Sequence, residues 1–185
     1  PGVALGYLRH GHLPHPCQVA VGAVVREKIL AAIPEATDIV LSHYHGDHIP
    51  LADANPYQLS LSNIPPLEGT RFWCRGTTFL SFHSLHRREA IENHLGHPLP
   101  EADGTSEGIF SFSVPVPHGS PRSHLGRVMM TCIRDEGRTF VHASDIQMLN
   151  REAVAVIRAW EPDVVIASGP PLYLLRLTEK ERTEA

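Results

Sequence analysis

The chain has 185 residues, enough for one domain with a core of its own. Its 42% apolar and 19% charged composition excludes a disordered polymer, and a formal charge of −4 denies it the broad basic surface of a dedicated nucleic-acid binder. No run approaches the roughly 20 apolar residues that span a bilayer, and Cys17, Cys74 and Cys132 are too few and too scattered for a disulfide framework, so a cytoplasmic setting with buried thiols is expected.

His10, His12 and His15 lie in a loop-like stretch ending at Pro16 and are expected to be exposed. Residues 19–33 read as a helix rich in Ala, Val, Glu, Lys and Leu, stopped by Pro34. Ile39, Val40 and Leu41 form a short apolar run that suits a strand buried on both faces. It leads directly into Ser42-His43-Tyr44-His45-Gly46-Asp47-His48. A weaker strand is expected over residues 71–74, then a helix over 84–95 that Gly96 ends. His86 and His94 on that helix, with His83 before it and His97 just past its end, fall on a rough stripe and read as part of a solvated face with Arg87, Arg88, Glu89 and Glu92.

Residues 109–116 alternate as a strand and stop before Pro117-His118-Gly119. Two further strands, 127–133 and 139–144, flank a hairpin turn at Asp135-Glu136-Gly137. Leu149, Ala153, Ile157 and Trp160 share one helical face, Pro162 stops that helix, and 163–167 reads as another buried strand. Helices alternating with some strands while others pair as hairpins indicate layered α/β structure with a mixed sheet. Proline and glycine are spread through the chain rather than pooled in a linker, so one domain over 1–185 is expected. The chain opens Pro1-Gly2 and its first methionine is Met129, so a domain cut short at its ends is expected.

Thirteen histidines stand against 16 lysines and arginines together, and their placement carries the chemistry. His43, His45, Asp47 and His48 fall within six residues directly after a strand. Alternate residues of an extended segment point the same way, so His43 and His45 converge on one cation, and beyond Gly46 the chain can turn Asp47 and His48 toward a second. Imidazole with carboxylate suits zinc, iron or manganese. His118, at a strand end before Gly119, is a better-held ligand than His124 in its Ser/Pro/Arg loop. Asp145 follows the strand 139–144 and reads either as a ligand or as the cap of the helix after it. His142, three residues earlier, reads as a core or supporting histidine.

His43-x-His45-x-Asp47-His48, with His118 and Asp145 downstream, resembles the metallo-β-lactamase superfamily across essentially the whole chain. Residues 42–57 with 1–6 look closest to a largely archaeal branch described only as metal-dependent hydrolases. The resemblance implies an αββα sandwich of mixed sheets flanked by helices. It also implies two divalent ions, zinc foremost, with iron or manganese as alternatives. His43, His45 and His118 would hold one ion, Asp47 and His48 the other, and Asp145 would bridge them. Metal-activated hydroxide would then cleave an ester, thioester, lactone or phosphodiester in a small molecule, with Asp47 orienting the water or taking its proton.

Two positions depart from the pattern. Leu51 stands where many members have glycine, and no histidine follows His142 to supply the last ligand of the second site. Asp145, where common lactamases have cysteine, argues against antibiotic hydrolysis, and His45, where di-iron redox relatives have glutamate, argues for hydrolysis. A nuclease and a non-catalytic relative without metals are the alternative readings.

Overall fold

The computed structural model describes residues 11–172 and 179–184; Pro1, Gly2 and His10 lie outside them. The described residues form mixed α/β structure, as the element order implied. They divide into two compact units, Pro1–Cys74 with Ser81–Pro100, and Arg75–Leu80 with Glu101–Ala185.

The first unit begins with α1 (Pro16–Ala32). His15 caps it, its Nδ1 accepting from the Cys17 amide at 3.2 Å while the Gln18 side chain accepts from the His15 amide. That cap needs Pro16 and Cys17 in the first turn, which leaves Cys17 exposed and corrects the expectation of a buried thiol. Val21, Val24 and Val25 share one face of α1, yet they are 63%, 52% and 41% exposed, and none of the helix's residues is buried. Strand β1 (Asp38–Leu41) pairs in parallel with β2 (Arg71–Cys74), Asp38 opposite Arg71 and Leu41 opposite Cys74. Only Leu41 of β1 is buried. Ile39 and Val40 are half-buried because β1 has one strand neighbour among the described residues and borders an apolar cavity of about 320 Å³.

Asp38 ties the start of this pair together, accepting from Trp73 Nε1 at 2.8 Å and meeting Arg71 Nε at 3.0 Å. Desolvation alone would raise its carboxyl. Hydrogen bonds from Trp73, Thr37 and Arg71, with the Arg71 charge, prevail and hold it below its ordinary value. Helix α2 (Phe82–Leu95) starts at the Ser81 cap, whose hydroxyl accepts from the Ser84 amide at 3.2 Å, and ends at Gly96. His83, His86, His94 and His97 are exposed as expected. Arg88 is not: with Ser84 and Ile91 it forms the buried face of the helix, at 6% exposure.

The second unit is built on a five-stranded mixed sheet in the order β3-β4-β7-β8-β9. Strands β3 (Ser106–Glu107), β4 (Phe110–Phe112), β7 (Thr131–Asp135) and β8 (Arg138–Ser144) run antiparallel, and β9 (Val164–Ala167) joins β8 in parallel. Asp135 pairs with Arg138, so the β7–β8 turn has two residues, Glu136 (φ 47°) and Gly137 (φ 75°). Two positive φ values match the strand twist of a tight hairpin, and glycine takes the second without a steric cost.

The strand expected over 109–116 is broken. After β4 the chain leaves the sheet at Ser113, which exchanges hydrogen bonds with the Met130 backbone, and β5 (Val116–Pro117) pairs instead with β6 (Arg127–Val128). Val128, Met130, Cys132 and Val141 pack against Ala153 and Ile157 of α3 (Arg151–Ala159), the helical face read from the sequence. A short helix α4 (Glu179–Glu184) closes the described chain. The other correction concerns β9: Val164, Val165 and Ile166 are 54%, 41% and 56% exposed, because β9 lies at the edge of the sheet, with β8 its one strand neighbour among the described residues.

Two outcomes follow from this packing. Iodoacetamide added to the native chain should alkylate Cys17 and spare Cys74 and Cys132, as intact-mass analysis would show, because both buried thiols have no exposure and burial pushes Cys74 up to about 12. Replacing Asp38 by Ala should lower stability near pH 7 by about 1 kcal/mol, since Trp73 Nε1 loses a charged acceptor. A depressed carboxyl stabilises above its unfolded pKa and ceases to do so as pH falls through the folded one. The gap from wild type in urea melts should therefore close below pH 4, roughly the ordinary aspartate range.

Candidate metal centre

Each unit carries part of the histidine and aspartate set. In the first, β1 ends at Leu41 and the chain runs through residues 42–45 outside regular structure before turning over Gly46–His48, closed by the His48 amide donating to the His45 carbonyl at 2.9 Å. The turn folds His48 back, so all three imidazoles meet. The His43 and His45 ring centres lie 4.7 Å apart and those of His43 and His48 4.2 Å apart. His43 is buried, with Nδ1 3.1 Å from the Ser42 hydroxyl, while His45 and His48 are half-buried. Asp47 points outward at 59% side-chain exposure, 3.7 Å from His48 Nε2.

Leu51, the departure from the glycine pattern, is a core residue beneath this turn. It is 4% exposed, forms a bridge with Ser60 and exchanges backbone hydrogen bonds with Leu59 and Leu61 at 2.9 Å. A Cβ at Gly46 would stand 2.9 Å from its Cδ1. Leucine here therefore fills the space below the histidine turn instead of opening it.

In the second unit His118 directly follows β5, is buried, and donates its amide to the Gly126 carbonyl at 2.9 Å. Gly119 next to it has φ 81°, and a Cβ there would collide with the Gln147 side chain. His124, the rejected rival, is exposed. Asp145 follows β8, and its Oδ2 lies 3.2 Å from His118 Nε2. The parity count from His142 stops short of Asp145. The β8–β9 register slips between His142 and Ser144, and Ser144 itself turns left-handed at φ 54°. His142 is half-buried. Asp145 is not a helix cap; Asn150 caps α3, accepting from the Glu152 amide at 2.8 Å.

Gln147 and Met148 are also left-handed, each at φ 53°, so three non-glycine residues within five adopt this conformation around Asp145. Such residues cost ~1–3 kcal/mol each and persist only where neighbours hold them. Ser168, just after β9, does so: its hydroxyl accepts from the Gln147 amide at 3.0 Å and its amide donates to the Ser144 carbonyl at 3.1 Å. Sequence reading passed over Ser168 because no motif marks it.

The donors fit a metal. His118 Nε2 and Asp145 Oδ2 are separated by 3.2 Å, close to the ~3.3 Å between two ligands each ~2.0–2.1 Å from a tetrahedral ion. Three clustered imidazoles would repel one another if protonated, whereas neutral rings present the lone pairs a cation takes. His43, His45 and His48 of the first unit and His118 and Asp145 of the second are all members of His/Asp groups whose ligand atoms could hold a metal ion. No histidine follows His142 in this sequence.

The chain is similar to proteins named UPF0282 protein. One from Methanosarcina mazei is 52% identical over 185 residues, covering all of this chain and 61% of that protein. One from Pyrococcus abyssi is 35% identical over 189 residues, covering 94% of this chain and 60% of its own. One from Thermococcus onnurineus is also 35% identical, covering 97% and 63%. The chain therefore spans somewhat under two thirds of the length of these relatives. No family model matches the chain, and no solved structure matches it.

Proposed function

We propose that the chain carries the metal-binding core of a hydrolase of the metallo-β-lactamase kind, in the αββα arrangement that its motif implies. The observation that supports this best is the gathering of His43, His45 and His48 at ring separations of 4.7 and 4.2 Å in one turn after β1. In this reading His43, His45 and His118 hold one divalent ion, Asp47 and His48 hold a second, and Asp145 serves both. Zinc is the first choice for such donors, with iron and manganese as alternatives. A pair of bound ions would supply Lewis-acid polarisation of a carbonyl or phosphoryl oxygen and a lowered pKa for water.

The chain's own residues set the conditions for that chemistry. Burial keeps His43 in place beneath the other two rings. The carboxylate of Asp47, exposed beside His48, has two roles open to it, ligand of the second ion or orienter and proton acceptor of water, and one carboxylate cannot fully serve as both. The substrate class is a small molecule with an ester, thioester, lactone or phosphodiester bond. The net charge of −4 disfavours nucleic acid.

Elemental analysis of the full-length protein purified without added metal should find close to two ions of zinc, iron or manganese per chain. A folded protein with no tightly bound metal overturns the reading. Against a panel of nitrophenyl esters, thioesters, lactones and bis-nitrophenyl phosphate, Asp47→Ala should lose roughly 100-fold or more in kcat while keeping its fold. An unchanged rate would remove Asp47 from the chemistry.

A further inference from the structure

His43 and His45, two residues apart, bring their ring centres to 4.7 Å, and the residue between them turns into the unit instead. That residue is Tyr44, at 1% exposure the most buried member of the motif. A buried phenol requires a hydrogen-bond partner, and Arg88 Nη1 donates to the Tyr44 hydroxyl at 2.9 Å. Arg88 is fixed in turn: its Nε meets Glu92 Oε1 at 3.1 Å one helical turn on, and its Nη2 donates to the Leu99 carbonyl. Glu92 Oε1 also accepts from the Leu99 amide at 2.9 Å, closing a ring of bonds around the guanidinium. The preceding residue, Arg87, donates from Nη1 to the Tyr44 backbone carbonyl at 3.1 Å. One residue of the ligand loop is therefore held twice, by its side chain and by its main chain, from consecutive positions of α2.

We infer that Arg87 and Arg88 are positioning residues for the metal loop, acting through Tyr44 to fix the angle at which His43 and His45 present their rings. The inference rests on the metal-binding reading for its purpose and on these hydrogen bonds for its mechanism. Both reach the loop through Tyr44. Their effect is on pre-organisation, as with groups that orient metal ligands from behind and change affinity 10–100-fold when removed.

The test uses the full-length protein with Tyr44→Phe, Arg87→Ala, Arg88→Lys and Arg88→Met. Tyr44→Phe keeps the ring and deletes one hydroxyl, and Arg87→Ala removes one surface-reaching hydrogen bond, so both remain informative if an Arg88 variant fails to fold. Two readouts are taken on variants with wild-type melting behaviour. In metal-free protein, backbone amide exchange over residues 43–48 should accelerate about 10-fold in Tyr44→Phe and Arg88→Met. Cobalt(II), added as the probe, should bind roughly 10-fold to 100-fold more weakly with a shifted visible spectrum, and Arg88→Lys should recover part of the loss. Unchanged exchange over 43–48 overturns the inference, and so does unchanged cobalt affinity in variants whose exchange has risen. If unaltered protein binds no cobalt, the proposed function falls instead, and amide exchange alone decides whether the brace operates.

Discussion

A guanidinium taken out of water must be surrounded by acceptors, and that requirement organises the first unit. Arg88 is 6% exposed, and burying its charge without partners would cost several kcal/mol. Its partners are the Tyr44 hydroxyl, Glu92 and the Leu99 carbonyl, so one cation draws together the histidine loop, the last turns of α2 and the chain beyond it. The second unit repeats the device. Arg75 is fully buried, with Nη1 2.6 Å from Asp103 Oδ2 and further bonds to the Gly76 and Thr78 carbonyls. Burial pushes the Asp103 carboxyl up, against the pull of Arg75, which marks how little water reaches that pair.

The candidate metal ligands share a second property: each lies just past the end of a strand. His43 follows β1, His118 follows β5 and Asp145 follows β8. A strand fixes the backbone up to its last residue, and the next residues are then free of the ladder to aim side chains elsewhere. What aims them differs from case to case. A turn closed by a backbone bond brings His48 to His43, a glycine in the left-handed region follows His118, and Ser168 grips the residues flanking Asp145.

Much of this was legible in the sequence where the signal is local. The placing of the histidine motif just past a strand, the turn at Glu136-Gly137, the end of α2 at Gly96 and the buried face of α3 each depend on a few neighbouring residues, and the structure has each where the sequence puts it. The failures were non-local. Arg88 was placed on a solvated face because charge alone suggests water; only the arrival of Tyr44, 44 residues away, makes a buried site for it. An apolar composition suggested burial for β9 and for Ile39 and Val40, but burial depends on how many neighbours a strand finds. Cys17 was expected inside on its chemistry, and the capped start of α1 puts it outside. The sequence allows Asp145 as ligand or as cap because either use follows a strand; Asn150 caps α3, which excludes the second use.

The left-handed backbone around Asp145 has an evolutionary consequence. At Ser144, Gln147 and Met148 glycine would adopt the observed φ without steric cost, yet it would also loosen the chain by a comparable entropy, ~1 kcal/mol per position. Variation in this segment therefore cannot buy robustness and keep the carboxylate still at once. Divergent copies that drift toward glycine would trade a sharply aimed Asp145 for an easier fold, and those that keep bulkier residues depend on a hydroxyl at position 168 to restrain them.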